Sequence, residues 1–208
     1  MPPVTALLVV DVQVFFRPMV TSALPRIHDL LNHFSSSNPS PGLIVFTQHG
    51  HTMEELTSSP SPSQLVRKWG PEGSIAEGSE EWRLLEELTE WAPKAEKGIL
   101  EGGKTGKSEK STRMKKNTYD AFINTNLGGL LEEANIERVI VTGVMTDCCC
   151  DTTARSAFNR GYETWLVSDA CGSANKRQHD AGLAGFGFAF GEVLGTREVI
   201  RRLVSEKE

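Results

Sequence analysis

Two rhythms of apolar residues take turns along this chain. Short β-branched and leucine-rich runs at 6–10, 43–47, 138–142 and 164–167 predict buried strands, and 99–100 a further brief one. Between them, apolar positions recur at helical spacing. The predicted helices cover 24–34, 80–91, 127–134, 151–160, 179–190 and 196–203, the last as a helix or as a short strand followed by one. Ser/Asn/Pro-rich stretches at 35–41 and 57–63 read as surface loops. Strands that are apolar throughout are strands covered on both faces. Their alternation with helices predicts an α/β protein: a three-layer α/β/α fold with a mostly parallel central sheet, Rossmann-like in outline.

Length and charge narrow the picture. A chain of 208 residues has room for one well-cored domain, 1–208, and little for two. A formal net charge of −5 and a pI near 5.6 argue against nucleic acid as a main partner. No apolar run approaches a membrane span. With four cysteines and no signal-peptide apolar region at the start, the expected setting is the reducing cytoplasm. The expected partner is a small-molecule substrate, and the expected assembly a homo-oligomer, dimer or tetramer. Basic residues cluster over 104–116 but are interleaved with Gly, Ser and Thr, which predicts a solvated loop. The segment 102–108 resembles a phosphate loop, yet Glu101 stands where the first glycine is required and no useful strand feeds it. Nucleotide binding is set aside.

The richest stretch is 139–155. Its strand breaks at Gly143 and the chain restarts at Thr146 or Asp147, both good helix N-caps. A cysteine in the first helical turn after a strand meets free N–H groups and the positive helix end, which favour a thiolate. The plain alternative is that Cys148, Cys149 and Cys150 are small buried filler. Successive helical side chains diverge, and the zinc spacing of two to four residues between ligands is missing, so the triplet cannot easily hold one ion. At most one of the three faces a cleft. Asp11 follows directly on the first strand, an expensive place for a charge unless it is paired, caps a helix or works. Lys116 stands just before Tyr119-Asp120-Ala121-Phe122; a lone lysine there is ordinarily solvated.

Taken together these segments resemble the cysteine hydrolase group of the isochorismatase-like superfamily, over nearly the whole chain. That group opens with Asp-x-Gln-x-x-Phe, matched by Asp11, Gln13 and Phe16. Its middle motif, a Lys three residues before aromatic-Ser-Ala-Phe, is matched from Lys116 to Phe122 with Asp120 in place of Ser. Its third, Gly-x-x-Thr-x-x-Cys-Val-x-x-Thr-Ala-Arg, puts Gly143, Thr146, Cys149, Thr153, Ala154 and Arg155 in register, with Cys150 in place of Val. Ser168-Asp169-Ala170 and His179 also fit.

The resemblance implies an isochorismatase-like fold and a hydrolase acting through Asp11, Lys116 and Cys149. Cys149 would attack a carbonyl and form a thioester acyl-enzyme, Asp11 would shuttle protons, and Lys116 would hold both charges. It also implies a cis peptide at Val144–Met145, with the N–H groups of Met145 and Cys149 forming an oxyanion hole. Phe16 and Trp69 are expected to wall the substrate pocket, with Gln48 and His49 as its polar groups, while Phe122 reads as core. Nicotinamidases of this superfamily carry a metal on Asp-x-His and a later His. Here Thr47-Gln48-His49 lacks the carboxylate, and His49 with His51 is a weak signal, so no metal and no cofactor are expected. The expected reaction is hydrolysis of a small amide or ureide. The alternatives are isochorismatase chemistry with Asp11 as general acid, and a non-catalytic binding or regulatory role.

Overall fold

The computed structural model of the protein describes residues 2–36, 42–93 and 111–206. The brief strand expected at 99–100 and the phosphate-loop look-alike at 102–108 lie outside the described residues. The elements in order are β1 Thr5–Val10, α1 Arg17–Val20, α2 Leu24–Ser36, β2 Gly42–His49, α3 Met53–Thr57, α4 Gln64–Trp69, β3 Ser111–Lys116, α5 Leu127–Glu133, β4 Arg138–Val144, α6 Asp151–Asn159, β5 Glu163–Gly172, α7 Lys176–Ala189, β6 Glu192–Leu194 and α8 Thr196–Ser205. The strands form one six-stranded sheet of order β3-β2-β1-β4-β5-β6, parallel at every pairing.

The alternation of the strands sorts their side chains between two helical layers. Leu7, Val9, Ile44, Phe46, Ile140 and Trp165 meet α2 and α8 on one face. Ala6, Leu8, Val45, Val139, Val141 and Leu166 meet α5, α6 and α7 on the other. Phe34, Phe46 and Trp165 are almost wholly buried, and each such side chain contributes about 1.5–3 kcal/mol.

Two expectations are corrected. Residues 111–116, taken as the end of a solvated loop, form edge strand β3, in which Ser111, Met114 and Lys116 are buried. Residues 80–91, read as a helix, form turns and a short 3₁₀ segment at Glu86–Leu88. Their backbone is committed elsewhere: Val14 donates to the carbonyl of Arg83, Phe15 to that of Glu81, and Leu85 to that of Val12. A segment hydrogen-bonded laterally to another cannot close its own helical ladder.

The strand order reverses between β1 and β4, so consecutive connections leave this point in opposite directions and open a crevice at the carboxyl ends of the strands. Gly143 makes the close approach of β4 to β1 possible there. Its φ is +110°, and a Cβ would stand 2.1 Å from the Val10 carbonyl oxygen.

Candidate active site

At the carboxyl end of β1 the chain turns through Asp11, whose φ of +52° is a left-handed conformation that Asp tolerates better than most residues. Gln13 clamps this turn to β2. Its Oε1 accepts from the His49 N–H at 2.8 Å and its Nε2 donates to the His49 carbonyl at 3.0 Å. Thr47, at the end of β2, donates its hydroxyl to Asp11 Oδ1 at 2.6 Å and accepts from the Asp11 N–H at 3.1 Å. The other carboxylate oxygen lies 2.7 Å from Lys116 Nζ, at the end of β3, with both side chains fully buried.

Lys116 has three N–H bonds and three neighbours to receive them. Besides Asp11 it donates to the Thr118 carbonyl at 2.8 Å and lies 3.4 Å from Cys149 Sγ. Burial lowers the ammonium's pKa, but the Asp11 carboxylate and the Cys149 sulphur more than offset this, leaving it above the ordinary lysine value.

Cys149 stands on a π-helical turn, Thr146–Cys150, that leads into α6. Neither Thr146 nor Asp147 caps it; Met145 holds the N-cap position with no side-chain bond. Thr146 instead donates to the Gly172 carbonyl at 2.9 Å and sits 2.8 Å from His179 Nδ1, tying the turn to β5 and α7. The peptide Val144–Met145 is cis.

Of the triplet, only Cys149 lines the cavity among the described residues. Cys150 is buried behind it, its Sγ donating to the Thr142 carbonyl at 3.7 Å. Burial, then Asp147 and Asp151, pushes the Cys148 thiol up to about 11. Burial also raises Cys149 well above the usual thiol range, partly countered by Lys116 and reinforced by Asp11, whose carboxylate is within hydrogen-bonding reach. The surroundings of Cys149 thus favour the thiol, against the thiolate that a helix N-terminus alone would favour.

The cavity that Cys149 opens on measures about 340 Å³. Phe16, Trp69 and His49 line it, with Tyr119 and His51. Gln48, expected in the pocket, is not there: its Nε2 donates to the Trp82 carbonyl at 2.8 Å. Strand periodicity is the reason, because Thr47 and His49 project to one side of β2 and Gln48 to the other. Phe122 packs in the core, stacked on Tyr162. Tyr119 was quoted above only as a motif position. Its hydroxyl accepts from Trp69 Nε1 at 2.8 Å, joining two pocket walls.

His49 and His51 stand edge to face with ring centroids 5.0 Å apart, and His51 Nδ1 is 3.4 Å from Glu55. The hydroxyl of Thr47, at the place of the missing carboxylate, is committed to Asp11. Among the described residues no three His, Cys, Asp or Glu side chains converge on a point that would hold a metal ion.

A parallel α/β sheet whose switch point carries a buried acid, a buried lysine and a cavity-facing thiol has the frame of a hydrolase. Residues 5–198 match the Isochorismatase domain, and the chain belongs to that family of hydrolases. Nicotinamidase 3 of Arabidopsis thaliana is 30% identical over 201 residues, covering 97% of this chain and 89% of that protein. A cysteine hydrolase from Pseudomonas syringae pv. phaseolicola 1448A superposes with a TM-score of 0.75 at 23% identity, over 99% of this chain and 98% of that one. N-carbamoylsarcosine amidase from Thermoplasma acidophilum gives 0.69 at 21%, over 92% and 96%. At these identities the two structures speak for the fold alone. Among the described residues no helix is long and apolar enough to cross a membrane.

Proposed function

We propose that this protein is a metal-independent cysteine hydrolase that cleaves the C–N bond of a small amide or ureide. The observation that carries the reading is the meeting of Asp11, Lys116 and Cys149 in one buried cluster, with Cys149 opening on the cavity. As the substrate carbonyl approaches, Asp11 takes the Cys149 proton and an S–C bond forms. The N–H groups of Met145 and Cys149 receive the oxyanion. The C–N bond then breaks, Asp11 returns the proton to the leaving amine, and a thioester remains. Asp11 next takes a proton from water, whose oxygen adds to the thioester carbonyl; the acid departs and the thiol is restored. Lys116 stays charged throughout and keeps Asp11 ionised between steps.

The 30% identity to a protein named nicotinamidase supports amide hydrolysis. The Thr47-Gln48-His49 segment supports doing it without a metal ion.

A reactive nitrile or slow amide should leave a covalent adduct on the Cys149 peptide, read by mass. Asp11→Asn should keep the thiol yet slow or trap the adduct, and EDTA should leave turnover unchanged. The opposing pattern is Asp11→Asn inactive, Cys149→Ala active and no adduct with any substrate, which would assign isochorismatase chemistry instead. Loss of activity with EDTA, restored by zinc or iron, would show a metal site at His49 and His51.

A further inference from the structure

The cavity is lined with chemistry of one kind. Among the described residues, no Asp, Glu, Lys or Arg side chain lines it. Its walls are rings and aliphatic groups: Phe15, Phe16, Trp69, Tyr119 and Ile75. Few polar groups reach it, and none among the described lining side chains is a carboxylate, ammonium or guanidinium. The Tyr119 hydroxyl accepts from Trp69, and the Ser74 hydroxyl donates to the Gly70 carbonyl at 2.8 Å.

Lys116 and Glu55 lie close behind the walls, and each already has partners. Lys116 is shared among Asp11, the Thr118 carbonyl and Cys149. Glu55 receives the Thr52 N–H at 3.0 Å and Asn117 Nδ2 at 2.9 Å. The two histidines add no cation. Burial, helped by Lys116, takes His49 down to about 3, and burial lowers His51 as well against the pull of Glu55. Burial thus favours the neutral ring at both positions.

We infer that this pocket selects an uncharged acyl group: the substrate is a small, flat or apolar amide, and amides whose acyl portion carries a carboxylate or an ammonium are rejected. The inference rests on the reading of Cys149 as the residue that becomes acylated. A carboxylate entering here would lose its water and meet no Lys or Arg side chain among the lining residues. A planar uncharged group loses little water and gains ring contacts on several sides. A volume of about 340 Å³ is at the small end for ligand sites, matching one ring and its amide rather than an extended chain.

Two paired measurements on the wild-type protein test this. In the first, iodoacetamide and iodoacetate, near-isosteres differing in charge, alkylate Cys149, with rates read on the Cys149 peptide by mass and divided by the rates for free glutathione. In the second, ammonia release is compared between a neutral aromatic carboxamide and the same ring bearing an added carboxylate. The neutral member of each pair should win by ~10-fold or more, since an unpaired buried charge is strongly penalised. A normalised iodoacetate rate equal to or above that of iodoacetamide would overturn the inference. So would equal turnover of the carboxylate-bearing amide, and that result would leave the hydrolase reading standing. Strong selectivity in alkylation with no amide turned over would have the reverse meaning: the uncharged pocket stands and amide hydrolysis falls.

Discussion

Lys116 spends every N–H it has, and this fixes what the neighbouring residues can do. With no proton to spare for a substrate, its proposed service is electrostatic, and removing it takes away the cation 2.7 Å from the Asp11 carboxylate. In the proposed mechanism, proton transfer falls to Asp11 and bond formation to Cys149. Cys149→Ala should therefore abolish turnover, by ~10³-fold or more, while Cys148→Ala and Cys150→Ala retain most of it. Initial rates of ammonia release decide this, and a Cys148 or Cys150 variant as dead as Cys149→Ala would refute the assignment. Much at this scale is legible in the sequence. Motif register points to Cys149 from within its triplet, and to Asp11 and Lys116 from far away along the chain. What is hidden follows from geometry. Thr47 looks like a missing metal ligand and is in fact the partner of Asp11, a pairing created by two neighbouring strand ends. Gln48 and His49 looked equivalent, yet adjacent strand residues face opposite ways.

Elements legible in the sequence are those whose own burial produces the pattern. The strands β1, β2, β4 and β5 lie inside the sheet and carry apolar runs. Edge strand β3, Ser-Thr-Arg-Met-Lys-Lys, buries only Ser111, Met114 and Lys116, so its composition is that of a loop. The three-residue β6 at the other edge is too short to leave a rhythm. Residues 80–91 have helical spacing, but hydrogen bonds to residues 12–15, remote in sequence, outweigh it. The junction of β1 and β4 makes a sharper prediction. Gly143→Ala meets both a left-handed backbone and the Val10 carbonyl, and should destabilise by about 3 kcal/mol or more. Gly128, near the start of α5 with nothing within 4 Å of an added Cβ, is the control. Gly128→Ala should be neutral or stabilise by up to ~1 kcal/mol. Denaturant melts read both, and a harmless Gly143→Ala would mean the strands can part without cost.

For the molecule as a whole, the neutral buried imidazole of His49 makes folding sensitive to acid. The unfolded chain protonates this residue below its ordinary value near 6.5, whereas the folded chain does not until about 3. Between those limits the unfolded state holds the extra proton, so stability falls as pH falls, and the contribution is complete above 6.5. His49→Gln removes that sensitivity. The stability gap between wild type and variant should therefore shift in favour of the variant between pH 7.5 and pH 5, as seen in paired thermal melts. A gap independent of pH would mean that the ring charges as readily inside the protein as outside. Asp11, Thr47, Lys116 and Cys149 lie at or just beyond the carboxyl ends of four adjacent strands, yet Asp11 and Cys149 belong to distant parts of the chain. On the proposed mechanism, a nascent polypeptide emerging from the ribosome has no competent Cys149 until β4 has docked against β1; before then Asp11 and Lys116 have nothing to act upon. Cleaving the chain in the exposed stretch around Asn124 would divide Asp11 and Lys116 from Cys149, and on the proposed mechanism each fragment alone should be inert. Hydrolysis would return only when the fragments re-pair, so catalysis itself would report on reassociation.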